Sequence, residues 1–111
     1  MTKIEFFKKN GSLIGYRASG HSGYSEEGSD IVCASISSVL QLTLIGLQEV
    51  VKSNPEFKIY EDGFLEVFLD DNDIKNYGKE ISILLESTYF FLKELAKQYP
   101  KNIKLVEKEE K

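Results

Sequence analysis

The chain has few of the side chains that carry most enzyme chemistry: among 111 residues there is one cysteine, Cys33, and one histidine, His21. A lone cysteine cannot close an internal disulfide, and one of each is too few for zinc, which takes several such ligands. No phosphate-binding loop is present, because none of the glycines leads into a Gly-Lys-Ser/Thr ending. The run Asp70-Asp71-Asn72-Asp73 has the acid density of a calcium loop but not its central glycine or terminal glutamate, and it reads as a turn before a helix. No metal and no cofactor are therefore expected. Positive charge is also scarce, with 14 Lys and Arg against 18 Asp and Glu and a formal net charge of -4. That balance argues against direct nucleic-acid binding and suits a basic partner better.

The opening Met1-Thr2-Lys3-Ile4-Glu5 has neither a signal-peptide core nor a cleavage site, which with the missing disulfide leads us to expect a cytoplasmic protein. An apolar stretch over 31–51 is broken by Ser35, Ser37, Ser38, Gln41, Thr43, Gln48 and Glu49. It is expected to be a buried helix and not a membrane span. Repeats, linkers and low-complexity blocks are absent, so the whole of 1–111 is read as one domain with one core.

Residues 3–8 and 13–19 are β-prone and flank Asn10-Gly11, two residues that tolerate the positive φ of a tight hairpin. The same signal recurs at Asp62-Gly63, between 57–60 and 64–69. The helix over 31–51 is apolar around most of its circumference, which predicts a place between layers, and Asn54-Pro55 stops it. A second helix over 77–98 carries Ile81, Leu84, Leu85, Thr88, Phe91, Leu92 and Leu95 on one stripe. Ile83, Tyr89 and Phe90 lie off that stripe and are a candidate dimer face. Pro100 ends the helix, 103–106 is a possible edge strand, and the charged tail 107–111 is expected to fray. The order ββαββαβ predicts a single-domain α+β sandwich, with helices packed on a mixed or antiparallel sheet.

Chemistry concentrates in the loop over 20–30, Gly20-His21-Ser22-Gly23-Tyr24-Ser25-Glu26-Glu27-Gly28-Ser29-Asp30. Asp30 is placed to cap the following helix, which puts Cys33 in its first turn. There the helix dipole and unpaired N–H groups favour a thiolate, and the same amides can donate to an oxyanion. His21 follows a strand, and the glycine-hinged loop returns the chain toward Cys33, so the pair can act as base and nucleophile. The loop's glycines also suggest a lid. A lone cysteine among apolar residues serves equally as a small core side chain, and a lone histidine can be incidental. Ser37, one turn after Cys33, can direct its hydroxyl to the thiolate, to the substrate or to its own helix backbone. Glu26, Glu27 and Asp30 make the loop acidic, either as a solvated surface or as an attraction for a cationic peptide. Gly20-His21-Ser22-Gly23 also fits the phosphate clamp of KH-type modules, which gives a different reading: a non-enzymatic, ribosome-associated RNA- or protein-binding module.

Gly20-His21, then Gly28-Ser29-Asp30-Ile31-Val32-Cys33-Ala34, then Ser37 resembles the signature of the bacterial ribosomal-processing cysteine proteases, the Prp family. Length, element order and the single Cys and His agree with that family over nearly the whole chain. The resemblance implies a cytoplasmic, homodimeric endopeptidase that removes an N-terminal extension from the twenty-seventh large-subunit ribosomal protein during ribosome maturation. It implies substrates with aromatic residues before the cut and a basic stretch after it. It makes His21 and Cys33 the catalytic pair, with Gly20, Asp30 and Ser37 in supporting roles, no metal or cofactor, and no membrane.

Overall fold

The computed structural model describes residues 1–20, 29–61 and 64–110. Five strands, β1 (Thr2–Lys9), β2 (Ser12–Ser19), β3 (Glu56–Ile59), β4 (Leu65–Phe68) and β5 (Ile103–Glu109), form one sheet in the order β3-β4-β2-β1-β5. Helices α1 (Ser29–Ile45) and α2 (Asp71–Gln98) cover one face of it. All pairings are antiparallel except β1 with β5, which is parallel, so the sheet is mixed and the element order is the expected ββαββαβ.

The first hairpin follows from its turn residues. Asn10 at φ 54° and Gly11 at φ 82° both sit in the left-handed region, the backbone of the two-residue turn whose twist matches the strands. The alternation in β1 sends Ile4 and Phe6 into the core, where they meet Tyr16 and Ala18 of β2 and Leu65 and Val67 of β4. Tyr16 is fully buried and donates its hydroxyl to the Leu40 carbonyl at 2.7 Å. That bond pins β2 to α1 and satisfies a polar group that would otherwise be costly. Burial pushes the Tyr16 phenol well above its ordinary range. Gly15 has no room for a side chain, since a Cβ there would lie 2.4 Å from the Val67 carbonyl oxygen.

The helices differ from their sequence reading in instructive ways. α1 buries one stripe, Val32, Ile36, Leu40, Leu44 and Leu47, while Leu42, Ile45 and Val50 are more than half exposed. It lies on one layer and not between two, because α2 packs beside it and nothing covers its outer side among the described residues. The segment Ile31–Val50 is long and apolar enough to cross a membrane by length and composition, despite its polar interruptions. The buried stripe is instead part of the domain core. After Ile45 the helix widens into one π turn, Gly46–Val50, closed by the Val51 N–H donating to the Gly46 carbonyl at 2.9 Å.

α2 starts six residues before the apolar periodicity does. Asp70, in extended backbone, accepts from the Asp73 N–H at 2.8 Å and caps a helix whose first turn is polar, so the acidic run expected to be a turn is a helix start. Asp73 in turn accepts from the Asn54 N–H at 3.1 Å and ties the connection after α1 to α2. A kink at Tyr77 marks where the polar start joins the amphipathic remainder. At the other end, of the tail expected to fray, 107–109 belong to β5 and the Glu110 N–H donates to the Lys8 carbonyl at 2.7 Å, while Lys111 lies outside the described residues. The pairing of Lys8 with Glu109 explains why charged residues stay ordered there.

The uncovered sheet face is held by charge. Glu5, with its side chain only 4% exposed, receives Arg17 from β2 at 3.1 Å and Lys108 from β5. Burial alone would raise its carboxyl pKa, but hydrogen bonds and charge from Lys108 and Arg17 outweigh that and hold it below the ordinary value of 4.5. A lowered carboxyl contributes stability that is present above the unfolded-state value and is lost as pH falls through the folded-state value. Glu5→Gln should therefore cost roughly 1–2 kcal/mol at neutral pH, the lower end of charged hydrogen bonds because both cations are partly solvated. Urea unfolding across pH should show that gap closing below the ordinary carboxylate range. A gap that stays constant into acid would assign the loss to packing.

Candidate active site

β2 delivers the chain to Gly20, which has φ +83° and whose added Cβ would sit 2.9 Å from the Met1 carbonyl oxygen. Both the left-handed backbone and the close approach of β1 require glycine there. His21, Ser22, Gly23, Tyr24, Ser25, Glu26, Glu27 and Gly28 lie outside the described residues, as do the lid expectation and the acidic pair Glu26-Glu27. The part of the loop that is described, Gly20, comes directly after β2. A KH-type clamp joins two helices, so the context is that of a strand end and not of that clamp.

Ser29 is already helical, so Asp30 is the second residue of α1 and not the residue before it. Cys33 is correspondingly the fifth residue, a full turn in. Helix geometry gives its own N–H an acceptor four residues back, and the donors lacking a helical acceptor belong to the turn before it. Of the amides at and around Cys33 that were expected to donate to an oxyanion, those of 29–31 are the ones without an acceptor in the described helix. The helix started earlier than its apolar pattern because Ser29 and Asp30 are polar and carry no periodic signal.

The Cys33 side chain is half-buried and packs against the core at the α1 stripe. Its sulfur lies 3.9 Å from the Thr2 hydroxyl at the start of β1, a contact that no local pattern predicts, since the two residues are 31 apart. Ser37, on the same helical face, accepts from the Gln41 side-chain amide at 2.9 Å. That partner is none of the three considered from sequence, the sulfur, the substrate and the helix backbone. Ser35, by contrast, bonds back to the Ile31 carbonyl.

Two concavities matter. Gly20 lines one of about 170 Å³ with Arg17, Ser19, Tyr60 and Phe64, and Tyr60 is fixed by donating its hydroxyl to Glu66 at 2.8 Å. This site joins the residue that precedes His21 to an aromatic wall. The larger groove, about 560 Å³, runs between α1 and α2 past Leu42, Ile45, Val50, Leu84 and Phe91, and Cys33 does not line it. Its floor is the Thr43–Thr88 hydroxyl pair, and Gly46 lets Leu84 approach. Of the residues expected to form a dimer face, Ile83 and Phe90 are exposed, but Tyr89 packs edge-on against Phe6. Sequence reading missed Leu42, Ile45 and Val50 because a fully apolar helix hides which side is left open. Among the described residues no group of three or more His, Cys, Asp or Glu is placed to hold a metal ion.

A family model described as Cysteine protease Prp matches residues 1–104. No curated protein matches the sequence. Among solved structures, SMU.848 from Streptococcus mutans superposes with a TM-score of 0.85 at 21% identity, covering 99% of this chain and 96% of that one. The essential ribosomal processing protease Prp from S. aureus, in complex with a substrate peptide, gives 0.83 at 22% identity, covering 96% and 99%. The same S. aureus protease with a covalently linked product peptide gives 0.80 at 22% identity. At these identities the structures share the fold.

Proposed function

We infer the activity from one premise: the chain belongs to the cysteine protease Prp family, matched over residues 1–104. It is a cysteine protease. We propose that Cys33 is its nucleophile and His21 its general base. The observation that carries this is that the chain's one cysteine lies on the N-terminal part of α1, at the end of the sheet where β1 begins. In the proposed cycle His21 takes the thiol proton and the sulfur attacks the peptide carbonyl carbon, forming a C–S bond and an oxyanion. The C–N bond then breaks as His21 returns the proton to the leaving amine, and water hydrolyses the thioester with His21 again as base. Among the described residues, N–H groups of the first turn of α1 are the source of oxyanion donors in this reading. Gly20 shapes the approach to His21, while Asp30 and Ser37 support the helix face that carries Cys33.

The substrate in this reading is the N-terminal extension of the twenty-seventh large-subunit ribosomal protein, cut in the cytoplasm during ribosome maturation. Support comes from the S. aureus relative, described as a ribosomal processing protease and holding a substrate peptide in one structure and a covalently linked product peptide in another. Nucleophilic catalysis passes through such a covalent peptide. The aromatic concavity beside Gly20 suits an aromatic residue next to the cut. We also propose that the protein works as a homodimer through the α1–α2 groove. Incubating the purified chain with that ribosomal protein from the same host, and reading intact mass, should show one N-terminal peptide released. An extended substrate left whole by folded, reduced protein would remove the substrate assignment.

A further inference from the structure

We propose that Thr2 is a positioning residue for Cys33, holding its sulfur and donating to it while it carries negative charge; this rests on the reading of Cys33 as nucleophile. Thr2 is 2% exposed, and a hydroxyl buried so completely needs a hydrogen-bond partner. The partner the structure gives its side chain is the Cys33 sulfur, at 3.9 Å.

The hydroxyl is rigidly mounted. The Thr2 N–H donates to the Asn102 carbonyl at 2.8 Å, Thr2 pairs with Ile103 of β5, and the adjoining Met1 carbonyl abuts Gly20. The start of β1 thus touches both the residue leading into His21 and the residue that attacks.

A distance of 3.9 Å is long for a bond to a neutral thiol, which is a weak donor and a weak acceptor. A thiolate is an acceptor only, and its charge strengthens the bond from a hydroxyl about twofold over a neutral pair. Thr2 therefore interacts most strongly with the attacking form. Once the sulfur is bonded to an acyl carbon the charge is gone, so the effect belongs to attack and not to peptide affinity.

The test compares Thr2→Val, which keeps the shape and removes the hydroxyl, with Thr2→Ser, which keeps the hydroxyl and removes the methyl. With one cysteine in the chain, alkylation by iodoacetamide at fixed neutral pH reports Cys33 alone. Thr2→Val should slow alkylation about three- to tenfold, the rate equivalent of one ordinary hydrogen bond. Peptide cleavage should show kcat reduced by a similar factor with KM unchanged, and Thr2→Ser should recover both rates. Wild-type rates in Thr2→Val overturn the proposal, as does a Thr2→Ser variant as slow as Thr2→Val, which would assign the effect to methyl packing. If the wild type cleaves no peptide, the protease assignment fails separately, and the alkylation series still decides whether the hydroxyl acts on the sulfur.

Discussion

Cys33→Ala should lower peptide cleavage by at least about 10⁴-fold, because removing a nucleophile leaves only the contribution of binding and oxyanion donors. The protein should remain folded. Cys33 is half-buried at the edge of the core, so losing its sulfur costs on the order of 1 kcal/mol in packing, small beside the loss of chemistry. Substrate peptide should still bind. His21→Ala should be nearly as inactive, and the double variant no worse than the weaker single, since a base without its nucleophile contributes little. A single-turnover time course read by intact mass separates these outcomes from slow product release. Cleavage by Cys33→Ala within tenfold of wild type would sink the nucleophile assignment.

The second large effect concerns assembly. Leu42→Glu or Phe91→Glu should convert the proposed dimer into monomer, weakening self-association by at least about a hundredfold, as for a charge buried without a partner at the centre of an interface. Leu42 is 67% exposed, Ile45 53%, Val50 78% and Phe91 49%, and together they rim one groove where an isolated domain would be expected to place polar residues. The groove is apolar at its walls, with the two threonines satisfied by each other and by the Val39 and Leu84 carbonyls. Sedimentation at micromolar concentrations reads the change directly. Wild-type protein that sediments as a monomer would remove the dimer from the functional reading.

Much of this was legible before any coordinates, for physical reasons that differ by element. Asn10-Gly11 marked its hairpin because few residue pairs accept two positive φ values in succession. The amphipathic part of α2 showed because Ile81, Leu85, Thr88 and Leu92 repeat at helical spacing and are indeed buried. The start of α2 was hidden because Asp70 and Asp73 signal a cap and a turn equally well until the backbone is seen. β5 was read three residues short because Glu107, Lys108 and Glu109 put charge on both faces of the edge, and only the ladder with β1 keeps them extended. Cys33 was singled out from its uniqueness and its neighbours in sequence, yet its contact with Thr2 could not be, because nothing local links a strand's first residue to a helix's fifth. Leu42, Ile45 and Val50 were read as buried because hydropathy reports composition and not which side is covered.

The parallel ladder between β1 and β5 joins Thr2 to Ile103, about a hundred residues away along the chain. A ribosome adds residues at roughly 5–20 per second and holds the newest ones out of reach, so β1 waits several seconds for its neighbour. Contacts so distant in sequence also form slowly, since the loop-closure entropy must be met before they contribute. During that wait Thr2 lacks the Asn102 carbonyl that anchors it, and the seat of the Cys33 sulfur is incomplete. The last of the five strands to be made is thus the one that completes the seat of the chain's one cysteine.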